Sequence, residues 1–188
     1  MTLAKLNSVN AKIKENRYLA SPEALMRGEI ALATRPHSAW GGAVTAQIYL
    51  PITRSQTWTH LTNYPRWVQY FPDLIHSEVI SKGDDTTQNN KRIYQVASKA
   101  FLFFNAQAEI YLKVIEILQH HIQFRLEKGS FIDFTADLKM YDCHGGTVVT
   151  YSVQATPSFP VPSIFIEQAI NLELPANLRQ MRHVICGI

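Results

Sequence analysis

From His76 to Ala155 the chain runs through strand-like segments whose connections are too short to carry a strand across its sheet. His76 to Lys82, Arg92 to Ala100, Asn105 to Leu118, Ile122 to Lys128, Phe131 to Asp142 and Thr147 to Ala155 all have strand character. Between them stand the turn-forming Gly83-Asp84-Asp85, Gln119-His120-His121, Gly129-Ser130 and His144-Gly145-Gly146. A parallel pair requires a crossover of roughly a dozen residues or more. Neighbouring segments must therefore pair antiparallel, as a meander.

Upstream, Glu29 to Thr34 and Ala43 to Leu50 flank Arg35-Pro36-His37-Ser38 and Gly41-Gly42, which predicts a hairpin. In its second arm Val44, Ala46, Ile48 and Leu50 share one side, and Thr45, Gln47 and Tyr49 the other, the period of a sheet with one buried face. Pro51 ends the strand. Thr53 can cap a helix carrying Trp58 and Leu61, and Tyr64-Pro65 breaks the chain before Trp67, Tyr70 and Phe71, so two short helices are expected. Residues 1–27 are polar and mixed, with Ser21-Pro22-Glu23 as a helix start, and read as a partly ordered N-terminal extension to a domain spanning 28–188.

After Pro160 and Pro162, the residues Ile166, Ala169, Ile170, Leu174, Leu178, Met181 and Ile185 follow the three-and-four spacing of an apolar helical stripe. Pro175 lies inside that helix and removes a backbone donor, which predicts a kink or break around Leu172 to Pro175. A long meander with one apolar face must bury that face, and this helix is the only large element left to cover it. One helix cannot fill a strongly curved sheet along its whole length. A space between the two is therefore the expected ligand site.

Composition narrows the function. The 188 residues are 46% hydrophobic and 18% charged, enough for one well-formed core and too short for two ordinary domains. A formal charge of +3 with scattered Lys and Arg lacks the density that nucleic-acid binding needs. Cys143 and Cys186 are too few and too far apart for a disulfide framework or a zinc site, which fits a reducing compartment. Met1 to Ala20 has no continuous apolar core of the length a signal peptide needs and no stretch approaches the ~20 apolar residues of a membrane span, so neither is expected. The expectation is a soluble cytoplasmic protein, at most peripheral to a membrane.

The run WTHLTNYPRWVQYFPDLIHSEVI, through Trp58, Tyr64, Phe71 and Pro72, resembles the first helices of the START-like (SRPBCC) superfamily, in its polyketide cyclase/dehydrase and coenzyme Q-binding branch. HIQFRLEKGSFIDFTADLKMY is similar to that family's strand, glycine turn and second strand, and FPVPSIFIEQAINLELPANLRQMR to its closing helix. The resemblance implies an α+β helix-grip fold, a curved antiparallel sheet of about seven strands around the long C-terminal helix. It also implies a hydrophobic small molecule (lipid, quinone or isoprenoid) held by a carrier or chaperone. The alternative it leaves is a cyclase or aromatase acting on a polyketide-like substrate in the same cavity. No cofactor is implied.

The aromatic residues Trp67, Tyr70, Phe71, Tyr94, Phe101, Phe103 and Phe134 are candidate ligand contacts, about half of them ordinary core. Glu109 and Arg125 are polar candidates. They either pair across strands on the solvent face or orient a carbonyl or hydroxyl inside the pocket. Phe101-Leu102-Phe103-Phe104 lies in a connection, where four apolar residues must pack inward or stay exposed, and reads as a pocket entrance or a lip touching membrane transiently. Tyr151 and Ser152, with Asp133 and Asp137 on the preceding strand, suggest acid/base work, but alternation sets this group off the apolar face. His60, His76, His120, His121, His144 and His183 have no ligand-type spacing, so no metal site is expected. Oligomeric state is not legible.

Overall fold

The computed structural model describes residues 18–82, 90–101 and 104–188. The strands are β1 (Ala31–Arg35), β2 (Gly42–Leu50), β3 (Leu74–Lys82), β4 (Asn90–Phe101), β5 (Phe104–Ile117), β6 (His121–Gly129), β7 (Phe131–Cys143) and β8 (Gly146–Pro157). They form one antiparallel sheet in the order β1-β2-β8-β7-β6-β5-β4-β3, eight strands where about seven were expected. The meander from β3 to β8 and the β1–β2 hairpin are as the short connections require. What spacing could not indicate is their junction, where β2 lies beside β8 with Val44 opposite Val153 and Ile48 opposite Val149. The short helices after β2 carry the chain to the far edge, and the meander returns it.

Those helices are locally specified. Thr53 accepts from the Gln56 amide at 3.3 Å and Gln56 Oε1 accepts from the Thr53 amide at 3.0 Å, a reciprocal cap for α2 (Arg54–Leu61). A 3-10 turn follows over Tyr64–Gln69, with Pro65 at its start. Its Trp67 donates from Nε1 to the Leu61 carbonyl at 3.0 Å and packs its ring 5.3 Å from Phe124 of β6. Tyr64 is fully buried and donates to Glu116 Oε1 at 2.6 Å, which also accepts from Lys91 Nζ at 2.8 Å. Burial and that hydrogen bond push the Tyr64 phenol well above its ordinary pKa. Ser77 donates to the Tyr64 carbonyl and receives Gln95, which pairs the polar atoms around Tyr64, whereas the buried Thr57 hydroxyl of α2 has no partner among the described residues.

The outer face of the sheet is not uniformly wet. Ser21 caps α1 (Pro22–Met26), which has Pro at its start as expected, and Leu25 packs onto Tyr49, Cys143 and Val148. The Leu19 amide donates to Gln47 Oε1 at 2.6 Å, and Gln47 Nε2 donates to Thr150 at 2.9 Å. This satellite cluster explains why both faces of β2 are buried over its second half.

The C-terminal helical run comprises α3 (Ser163–Gln168), a π-helical segment (Ala169–Glu173) and α4 (Leu174–Cys186). Pro175 has no amide hydrogen, and in an unbroken α-helix its ring would press on the carbonyl four residues earlier. The predicted irregularity appears as the π segment, where the Leu174 amide reaches back five residues to the Ala169 carbonyl. Beyond it Leu174, Leu178 and Met181 enter the core between the sheet's inner face and Trp67. Gly187, at φ +72°, closes α4 in the left-handed conformation that glycine tolerates.

Candidate functional site

A cavity of about 310 Å³ lies under the first half of the C-terminal helical run. Gly42 and Val44 of β2, with Tyr151, Val153, Ala155 and Pro157 of β8, form its floor. Phe71 and Phe131 form its sides, and Ile166, Ala169, Ile170, Glu173, Leu174 and Asn177 its roof. Small residues create the space. A Cβ added at Gly42 would stand 3.0 Å from both Ile166 and Ile170, so anything larger there would push the roof away or fill the void.

Phe131 reaches the site through a register shift. The pairing of β7 with β8 skips between Phe131 and Asp133, so Phe131 faces Pro157 on the inner side while Ile132 is 60% exposed. Strict alternation would have sent Phe131 outward. The walls are hydrocarbon with three exceptions, Tyr151, Glu173 and Asn177. Glu173 Oε1 accepts from Gln168 at 3.1 Å. Tyr151 faces the void with Leu138 and Ala46 as its strand neighbours, and burial alone raises its phenol to a pKa of about 12. Alternation was expected to keep it off the apolar face together with Ser152, Asp133 and Asp137. Tyr151 departs from that expectation because it stands in line with Val149 and Val153, the inward residues of β8.

The sequence-derived candidates divide by location. Phe71 lines the cavity, and Phe134 stands behind it with its ring 5.6 Å from Phe131. Trp67 and Tyr70 are buried in the adjoining core; Trp67 lies 5.5 Å from Phe71, and the Tyr70 hydroxyl donates to the His60 carbonyl at 3.4 Å. Tyr94, Glu109 and Arg125 stand on the outer face, away from the void. There Tyr94 donates to Glu109 at 3.0 Å, and Arg125 and His121 both bond Asp137, at 3.1 and 2.8 Å. The cross-strand alternative is therefore the one realised. Phe103 and Leu102 lie outside the described residues, and Phe101 and Phe104 are described only as paired backbone at the ends of β4 and β5.

Sequence reasoning missed Gly42, Phe131, Val153, Ala155, Pro157 and Asn177, and it weighed Tyr151 only for acid/base work. The signal that could have found them is the run of inward positions on β2 and β8 combined with the stripe of the closing helix. Among the described residues, no three His, Cys, Asp or Glu side chains are grouped to hold a metal, and no helix is long and apolar enough to cross a membrane.

A family model described as "Polyketide cyclase / dehydrase and lipid transport" matches residues 50–182. Among solved structures, a START superfamily protein from Mycobacterium smegmatis is similar at 10% identity and TM-score 0.62, over 77% of this chain and 97% of that one. A STAR-related lipid transfer protein from Xanthomonas axonopodis is 16% identical, over 82% and 98% of the two chains, at TM-score 0.58. The Zhui aromatase/cyclase from a Streptomyces species is 11% identical over 77% and 93%, at TM-score 0.59. At such identities the likeness is one of fold, here the helix-grip. No curated protein sequence matches.

Proposed function

This chain belongs to the polyketide cyclase / dehydrase and lipid transport family, and from that premise we propose that it holds a compact lipophilic molecule in the cavity beneath Ile166 and Ile170, as a carrier or chaperone. The observation that carries this reading is the wall chemistry. Of the residues lining the void, Tyr151, Glu173 and Asn177 alone have polar side chains, and the Glu173 carboxylate already has a partner. Each methylene-sized group moved from water into such walls contributes about 0.8 kcal/mol, so affinity needs no convergent polar set.

Size refines the ligand. A volume of about 310 Å³ stands at the lower end of the ~300–1,000 Å³ typical of small-molecule sites. A quinone ring or a short isoprenoid fits; a long prenyl tail would have to extend out through the mouth. The cyclase reading is supported by one observation, the Tyr151 hydroxyl facing the void. It is the weaker reading, because among the described residues no hydrogen bond joins that hydroxyl to a general base, and the Glu109 and Arg125 that would orient a polyketide face the other way.

Native mass spectrometry of protein purified from its own host, with extraction of the retained molecule, tests the carrier reading. A stoichiometric lipophilic species, displaced when Val153→Trp fills the void, is the expected result. Protein that is empty and takes up no lipophilic probe would overturn it.

A further inference from the structure

The Tyr151 hydroxyl is enclosed by the fold, yet it keeps accessible surface because it opens on the cavity. Among the described residues it has no hydrogen-bond partner, and nothing but burial displaces its pKa. With that pKa near 12 the phenol keeps its proton throughout the neutral range, so it can only donate or accept a hydrogen bond there. A hydroxyl set in an apolar wall without a protein partner gives the fold nothing that Phe would not, unless something in the cavity bonds it. On the roof, Asn177 brings a carboxamide to the same void, also without a partner among the described residues. The other polar wall group, Glu173, is engaged by Gln168.

Resting on the reading that the cavity holds a lipophilic molecule, we infer that the ligand carries one oxygen, a ketone, quinone carbonyl or hydroxyl, on its apolar body, and that Tyr151 and Asn177 are the residues that select for it. A pure hydrocarbon would leave both groups unpaired on binding. An oxygen placed between floor and roof satisfies a donor from each side, so discrimination comes from the penalty of leaving enclosed polar groups unmatched.

Acetylnaphthalene and ethylnaphthalene, nearly equal in size and differing in the carbonyl, test this by fluorescence titration of the full chain. The wild type should prefer the ketone about tenfold, the effect of one hydrogen bond worth ~1.4 kcal/mol. Tyr151→Phe should lose that preference by weakening the ketone alone, and its thermal midpoint without ligand should stay level or rise, since no internal bond is lost. Asn177→Leu, on the partly exposed roof, should cut ketone affinity about threefold. Equal weakening of both probes by Tyr151→Phe would mean simple packing and would overturn the inference while leaving the carrier reading intact. A preference unchanged in both variants would do the same. Failure of the wild type to bind either probe would remove both.

Discussion

Leu174–Cys186 sets Leu174, Leu178 and Met181 into the core, whereas Ser163–Glu173, the preceding half of the same helical run, buries no residue at all. Both halves have apolar residues to offer, among them Ile166 and Ile170 in the first. They differ in what lies opposite. The second half meets a core that includes Trp67, Leu61 and Leu50, while the first meets Gly42 and Ala155. The first half also begins without a side-chain cap, at Pro162, and ends in the π segment; Ile164 and Leu172 remain 62% and 67% exposed along it. One half therefore holds the fold together and the other covers a void, which is how a single helix can serve both stability and binding.

Truncating the seated half should produce the largest effect. Leu178→Ala should cost about 3 kcal/mol in chemical denaturation, since it opens a hole in packed core, whereas Ile170→Ala should cost under ~1 kcal/mol because its side chain already borders empty space. Similar losses at the two positions would erase the distinction between the halves. Next comes the plug at the closed end. Glu116 is 7% exposed and Lys91 29%, so Glu116→Leu should cost about 2 kcal/mol by stranding the Tyr64 hydroxyl and a partly solvated ammonium. Ligand affinity, measured on the folded variant, should not move, because this pair is remote from the cavity walls.

The junction between the halves can be shifted directly. Pro175→Ala restores a backbone donor and lifts the clash that favours the π segment, so Ser163–Glu173 should rotate toward α-helical register. Stability should change by less than ~1 kcal/mol, while affinity for acetylnaphthalene should fall severalfold as Ile166 and Ile170 leave the roof. Unchanged affinity would show that the π segment does not shape the void.

The smallest expected effect lies beside the mouth. His37 Nε2 and Asp133 Oδ1 are 2.8 Å apart, fastening the β1–β2 loop to β7, and Ser38 bonds Thr156 next to them. Burial opposes ionisation of Asp133, but hydrogen bonds from Thr156 and His37 outweigh it and hold the carboxyl below its ordinary 3.8. A depressed carboxylate pKa stabilises the fold above the ordinary value, and that contribution is lost as the pH falls through the lower, folded-state value. Amide protection in residues 37–41, taken relative to intrinsic exchange at each pH, should therefore fall on acidification below 3.8. Asp133→Asn should flatten that dependence, and identical acid profiles for variant and parent would dismiss the fastening.

Much of the architecture was legible because its signals are local. Strand-like runs between turn residues marked the strands, Thr53 and Ser21 capped the helices they were expected to cap, and Pro175 marked the irregularity of the closing helix. The site was far less legible. Phe71 was foreseen at the cavity, but Tyr94, Glu109 and Arg125 form cross-strand pairs outside it. A bulge at Ile132 reversed the facing of Phe131, and an inward Tyr151 was read as part of an outward polar set.

By itself the sequence determined an antiparallel meander, its hairpin, its short capped helices and a long amphipathic helix that had to cover the sheet. Each follows from periodicity and backbone restrictions within a few residues. Only the tertiary structure decided that β2 would lie beside β8, that Gly42 and Ala155 would sit beneath Ile166 and Ile170, and that the Tyr151 hydroxyl would find no partner among the described residues. Those outcomes depend on which side chains meet across more than a hundred residues of chain. A void, or an unpaired hydroxyl, is defined by what its distant neighbours fail to fill.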